Sequence, residues 1–216
     1  VRAAPDAYAG LIERHAVLLE RSAALAGYDY FRNPFAARLD MPIPAYQSLT
    51  HLPTRNAWRF ARGELDAGLA GTCDGVALGR RMVESGDTLI ASVIGAALVQ
   101  GNATLLAEML AELPRQHPLP AQCSEAVARP LALEQGVCRV MLGEGRFSIG
   151  GMRTQSTGQI AAEASGHDVP AWGTRLLFDR ERTAARMAPT FAWYCGDQAR
   201  ALVAADRPLV GPTTPP

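Results

Sequence analysis

A chain of 216 residues that is 48% hydrophobic and 19% charged is long enough to bury a core unaided, and its composition excludes disorder. Its 21 basic and 21 acidic residues give a formal net charge of zero, and no basic run forms a phosphate-binding stripe, so no nucleic-acid partner is expected. All the basic residues are arginine, which excludes any chemistry that needs an ε-amino group: Schiff bases, a Ser-Lys dyad, the P-loop lysine and the strand lysine of kinases.

Alanine and leucine outnumber β-branched residues, which favours helix over sheet. From Asp6 to Ala26 the residues Tyr8, Leu11, Ile12, His15, Leu18, Leu19, Ser22 and Leu25 recur at three-four spacing, predicting an amphipathic helix capped by Gly27. The chain starts at Val1, and the expectation is that this helix (residues 1–27) follows a removed signal peptide or membrane anchor. Between Tyr28 and Pro53 four prolines prevent a long helix. Tyr28, Tyr30, Phe31, Phe35 and Tyr46 crowd into this irregular stretch. It reads either as a packed cover over the core or as an aromatic binding surface.

Helices return from Thr54 to Leu113. The first is expected to be capped by Thr54 and broken at Gly71-Thr72. The second, Cys73 to Ser85, should turn Val76, Ala77, Met82 and Val83 inward and Arg80, Arg81 and Glu84 mostly outward. Ser85-Gly86-Asp87 reads as a turn, with Asp87 placed to cap the next helix. Thr88 to Val99 is apolar nearly all round, predicting a buried central helix. It should end at Gly101-Asn102, with Asn102 capping a leucine-rich helix stopped by Pro114. Such short connections imply antiparallel neighbours.

Pro114 to Pro120 is the best candidate for a boundary in what otherwise reads as one domain over 1–216. Ala121 to Leu142 predicts one or two helices interrupted at Pro130. Gly143 to Gly158 is Gly-rich and reads as a mobile loop. Ile160 to Ala164 reads as a helical turn, and Trp172 to Phe178 as extended. Asp179 should cap a last helix carrying Ala184, Met187, Ala188, Phe191 and Cys195 on one face and kinked by Pro189. The tail, 207–216, is Pro-rich and expected to fray. The fold class read from this pattern is all-α: an irregular multi-helix bundle of antiparallel hairpins with long loops.

Cys73, Cys123, Cys138 and Cys195 form no CxxC and have no zinc-finger histidine spacing. Two disulfides in an exported protein fit best, with four buried thiols as the competing reading. Of the three connectivities, Cys123–Cys138 is favoured, since a short loop and two antiparallel helices would join them. That leaves Cys73–Cys195. No metal site or cofactor is expected: His15, His51, His117 and His167 lack ligand spacing, and HExxH, GxSxG and a complete dinucleotide fingerprint are absent. Only His51, beside the aromatic stretch, and His167, before Asp168, are candidate bases. No catalytic residue is assigned, and a small-molecule substrate is not expected.

The run GVALGRRMVESGDTLIASVIGAALVQGNATLLAEML (Gly75 to Leu110) resembles uncharacterised, membrane-anchored helical periplasmic proteins of Gram-negative bacteria, in which an Arg-containing helix precedes a Ser/Asp-Leu-Ile helix and a leucine-rich one. CSEAVARPLALEQGVCRVMLGEGRF (Cys123 to Phe147) and LLFDRERTAARMA (Leu176 to Ala188) are similar to later parts of the same proteins, although the family often has Asn-x-Thr where Arg182-Thr183 stands here. The resemblance covers about half the chain and implies a periplasmic domain behind an inner-membrane anchor. It carries no catalytic residues. The expectation is a non-catalytic domain that binds another protein through Tyr28, Tyr30, Phe31, Phe35 and Tyr46, one form of which is an immunity protein. The rival readings are an envelope hydrolase and a constitutive scaffold.

Overall fold

The computed structural model describes residues 1, 3–38, 40–128, 130–155 and 178–211. Among them the chain is all-α, as the composition predicts. The α-helices are α1 (Pro5–Arg14), α2 (Ala16–Ala24), α3 (Leu52–Ala61), α4 (Leu65–Ser85), α5 (Leu89–Ala111), α6 (Ala121–Val127), α7 (Leu133–Thr154), α8 (Arg180–Ala192) and α9 (Asp197–Ala204). Short 3-10 turns occupy Leu25–Gly27, Tyr46–His51 and Trp193–Cys195. Where the sequence reads as one domain, the contacts divide the chain into two compact units. Unit 1 is Val1–Phe31, Pro44–Gly86 and Ile90–Ala132. Unit 2 is Arg32–Ile43, Asp87–Leu89 and Leu133–Pro216. The divide between long segments falls at Ala132/Leu133, not at Pro114 to Pro120.

Unit 1 is built on α4. One half of this helix sends Leu78 and Met82 into a core with Leu19, Tyr46, Leu49, Leu52, Ala91 and Leu98. The other half sends Leu69, Cys73 and Val76 into a core with Phe60, Leu106, Met109, Cys123 and Ala126. Glycines make this double duty feasible. A Cβ on Gly68 would lie 2.8 Å from Phe60 Cβ, one on Gly71 would lie 2.5 Å from Asn56 Oδ1, and one on Gly79 would lie 2.6 Å from the Gly95 carbonyl oxygen. A Cβ on Gly75 would likewise strike the Asn102 amide. Backbone therefore meets backbone between α4 and α5, and the buried Asn56 and Asn102 amides lie directly on the α4 backbone. Among the described residues their oxygens have no conventional donor, and they face glycine Cα–H groups, a weak contact typical of close helix pairs.

This seam corrects several sequence expectations. Helix α4 runs straight through Gly71-Thr72, because both residues face its neighbours: Gly71 lies against Asn56, and Thr72, whose hydroxyl returns to the Gly68 carbonyl at 2.8 Å, also meets Met109 Sδ at 3.7 Å. The break comes instead at Gly63, whose φ of +89° only glycine adopts readily. Asn102 does not cap a helix. It lies in the middle of α5, fully buried, with Nδ2 donating to the Leu98 carbonyl at 2.8 Å. Nor is α5 a buried central helix: Ala91, Gly95 and Leu98 face the core, while Val93 is 58% exposed. The helix is long and apolar enough to cross a membrane, by length and composition alone. The first predicted helix is interrupted at His15, whose backbone (φ −106°, ψ 13°) is not helical.

In unit 2 the expected mobile loop from Gly143 is helix as far as Thr154; 156–158 lie outside the described residues, as do Ile160 to Ala164 and all of Trp172 to Phe178 but Phe178. The glycines pack rather than loosen. A Cβ on Gly143 would strike the Asp87 backbone and one on Gly150 the Ala37 backbone, so the irregular 32–43 stretch and the 87–89 turn lie close along α7. Asp87 is held in this arrangement as an acceptor from the Asn33 amide at 2.9 Å. Asp179 caps α8 as predicted, accepting from the Arg182 amide at 3.0 Å. Pro189 lies inside α8.

Both disulfides form, but the favoured pairing is wrong. Cys73 bonds to Cys123 within unit 1, and Cys138 to Cys195 within unit 2. The favoured pairing assumed that the helices bearing Cys123 and Cys138 form a hairpin. Instead α6 returns along α4, while the end of α8 returns along α7, as the Arg153–Glu181 ion pair at the opposite end of that pair also shows. Four oxidised cysteines point to an oxidising environment outside the cytoplasm.

Two outcomes follow from this packing. Gly79→Ala should destabilise the protein by about 1–3 kcal/mol through overpacking against α5, despite the better helix propensity of alanine. Urea unfolding reads this, and a stabilised variant would contradict the seam. Replacing Cys73 and Cys123 together by alanine should cost up to ~4 kcal/mol, since the bond closes a loop of about 50 residues; a calorimetric Tm unchanged from the parent would contradict it.

Candidate functional site

The site grows from the amphipathic N-terminal helices of unit 1. Of the face read from the sequence, Leu19 and Ser22 are buried and Ile12 packs against the core. Leu11, Leu18 and Leu25, each seven residues from the next, remain exposed beside Val17, which is 62% exposed. The Trp58 indole holds the start of α1 by donating to the Pro5 carbonyl at 3.0 Å. Between α1–α2 and the start of α3 lies a cavity of about 260 Å³ lined by Tyr8, Leu11, Ile12, His15, Leu18, Leu19, His51 and Thr54.

The chain leaves α2 through the 3-10 turn and runs extended past Tyr28 and Tyr30. Two side chains of α4 pin this span at its ends. The Arg81 guanidinium donates to the Ala26 carbonyl, and the Ser85 hydroxyl accepts from the Phe31 amide at 2.7 Å while itself donating to the Arg81 carbonyl at 2.6 Å. Phe31 turns inward onto Tyr46, with ring centroids 6.0 Å apart. Tyr28 and Tyr30 project outward, 65% and 71% exposed. Two large aromatics are therefore presented on a backbone already fixed.

The predicted aromatic set is thus divided. Tyr28 and Tyr30 are exposed, Phe31 is half-buried and Tyr46 is core, 7% exposed. Tyr46 is a packing residue and not part of an exposed surface, because the 3-10 turn at 46–51 lies against α2 and α3. Phe35 is exposed but belongs to unit 2, where its amide donates to Asn33 Oδ1 at 3.0 Å. Of the candidate bases, His51 lines the small cavity with His15, and among the described residues no hydrogen bond or ion pair joins either ring to a carboxylate. His167 lies outside the described residues, as does Asp168. His117 is not simply solvated: its Nε2 is 3.5 Å from the Asp66 carboxylate. Among the described residues no cluster of His, Cys, Asp or Glu could hold a metal ion.

Sequence reasoning missed the anchors. Arg80, Arg81 and Glu84 were expected outward. Instead Arg80 is buried and donates to the Pro130 carbonyl at 3.0 Å, and Glu84 accepts from the Ala132 amide at 3.2 Å. Arg55 is buried too and donates to the Leu19 carbonyl at 3.2 Å. The available signal was the spacing of Arg81 and Ser85, one turn apart at the end of a helix that stops at Gly86.

One carboxylate behind the site is perturbed. Burial pushes the Asp74 carboxyl above its ordinary range, with Arg81 and Arg55 pulling it back and Glu125 adding to the rise. Burial, then the charge of Arg59, holds the Arg55 guanidinium below its ordinary value. For a carboxyl raised in the folded state, protonation favours folding. Its contribution is greatest below the unfolded pKa and is lost as pH rises through the folded one. Asp74→Asn should therefore stabilise the protein at pH 7 and flatten the fall in stability between about pH 4 and neutrality. Denaturation series across that range measure this, and destabilisation at pH 7 would show that the attraction of Arg81 and Arg55 outweighs burial.

The described residues define an all-α protein with a disulfide in each of two compact units. Comparison with protein-family models, with curated proteins and with solved structures gives no match.

Proposed function

We propose that this chain is a non-catalytic, protein-binding domain of the periplasm, tethered to the inner membrane and acting on its partner as an immunity protein acts on a secreted effector. The observation that carries the reading is the presentation of Tyr28 and Tyr30, outward-facing and pinned between Arg81 and Ser85. Aromatic side chains held on an ordered backbone lose little entropy on binding and supply the anchors of protein interfaces. The exposed leucines at 11, 18 and 25 extend the apolar area on the same unit. The disulfides support an extracytoplasmic site, and the resemblance of Gly75 to Leu110 to anchored periplasmic proteins supports the tether. A hydrolase would need a base oriented by a carboxylate; among the described residues no such contact joins His51 to one, and the His117–Asp66 pair at 3.5 Å is not among the residues that line the cavity beside His51.

The test is capture from an envelope extract, with the parent chain and a Tyr28→Ala/Tyr30→Ala variant as parallel baits. The expected result is one stoichiometric partner, bound by the parent and at least tenfold more weakly by the variant, whose circular dichroism is unchanged. A secreted toxin as partner would favour immunity; a structural envelope protein would favour the scaffold. Equal retention by both baits would remove the tyrosines from the interface.

A further inference from the structure

Unit 2 contains a second concave site. The facing sides of α7 and α8 enclose a cleft of about 640 Å³, within the range of small-molecule sites. From α7 it is lined by Leu142, Gly145, Arg146, Ile149, Gly150 and Arg153, residues that share one helical face at three-four spacing. From α8 come Glu181, Ala184, Ala185, Ala188 and Phe191, again one face. Apart from Arg146, Arg153 and Glu181 the walls are small or apolar, and the small residues are what leave the space. The Cys138–Cys195 disulfide ties the helix pair towards one end. The ion pair of Arg153 with Glu181, with contacts of 3.0 and 2.6 Å, ties it at the other.

The charges that face the cleft do not cancel. Arg153 and Glu181 neutralise one another, leaving Arg146, which is exposed and makes no hydrogen bond or ion pair among the described residues. The cleft thus pairs an apolar trough with one uncompensated guanidinium, a group suited to forked recognition of a carboxylate. The walls also decide between a peptide and an alkyl chain. Apart from Ala37 they are helices, whose backbone N–H and C=O groups are bonded internally except for the Ala185 carbonyl, which Pro189 deprives of its donor, so a peptide laid in the trough would lose water from most of its own amides without replacement. An alkyl chain makes no such demand.

We infer that the α7–α8 cleft is a binding site for a single-chain amphipathic carboxylate, its tail between Ile149, Ala184, Ala188 and Phe191 and its headgroup on Arg146. This site is independent of Tyr28 and Tyr30, which belong to unit 1, and it adds a small-molecule ligand where the sequence suggests none.

The probe is dodecanoate, titrated calorimetrically into the full chain, with dodecanol and octanoate in parallel. Dodecanoate should bind one to one. Dodecanol, which lacks the charge, and octanoate, which leaves part of the trough empty, should each bind at least tenfold more weakly. Arg146→Gln should weaken dodecanoate about tenfold or more without changing dodecanol. Ala188→Leu, at an exposed position that folding does not need, should fill the trough and abolish binding of both. No heat from dodecanoate would overturn the inference, as would equal affinity for dodecanol or an Arg146→Gln variant that binds as the parent does. Binding that survives Ala188→Leu would place the ligand elsewhere and overturn it as well.

Discussion

Unit 1 depends on how closely other helices approach α4. A helix that must serve two cores at once cannot present bulky side chains on every side, and Gly68, Gly71, Gly75 and Gly79 remove them from the sides where α3 and α5 pack. Dispersion rises steeply as helices close together, so the seam compensates for a composition short of aromatic residues. The same closeness excludes water and leaves the oxygens of Asn56 and Asn102 to glycine Cα–H groups. With α4 fixed in this way, its remaining side chains have defined positions, and Arg81 and Ser85 can serve as anchors for the span that carries Tyr28 and Tyr30.

The absence of lysine acquires a structural meaning here. Three guanidiniums, of Arg55, Arg80 and Arg81, reach carbonyl oxygens at Leu19 within α2, at Pro130 in a loop and at Ala26 in the 3-10 turn. A planar fork of donors can cap a carbonyl and still meet a carboxylate, as Arg80 does with Glu84. Arg80 and Arg81, expected outward, are in these cases ties between α4 and the segments beside it.

The helical class, the Asp179 cap, the turn at Ser85-Gly86 and the oxidised state of the cysteines were legible from periodicity, capping chemistry and cysteine number, all of which are local. The errors came where one residue type has two physical uses. Glycine at 71, 143, 145 and 150 was read as a breaker, yet in a helix it also permits close approach, and only the neighbour decides between the two. Asn102 was read as a cap and is a buried contact. Connectivity of the cysteines depends on which helix returns along which, a non-local property. Of the aromatic stretch, Tyr28 and Tyr30 are exposed and Tyr46 is buried. Tyr46 could not be told apart from them, because burial of a tyrosine depends on what lies over it.

The arrangement of the two disulfides partitions the covalent chain in an unusual way. Each closes its own loop, 73 to 123 and 138 to 195, and the loops neither overlap nor nest. A protease that cuts inside either loop leaves both pieces joined, so the nick is invisible on a gel until a reductant is added. A cut between 123 and 138 releases two pieces at once, each keeping its own cross-link. The short stretch around Pro130 is thus the place where one chain can become two cross-linked polypeptides by a single hydrolysis.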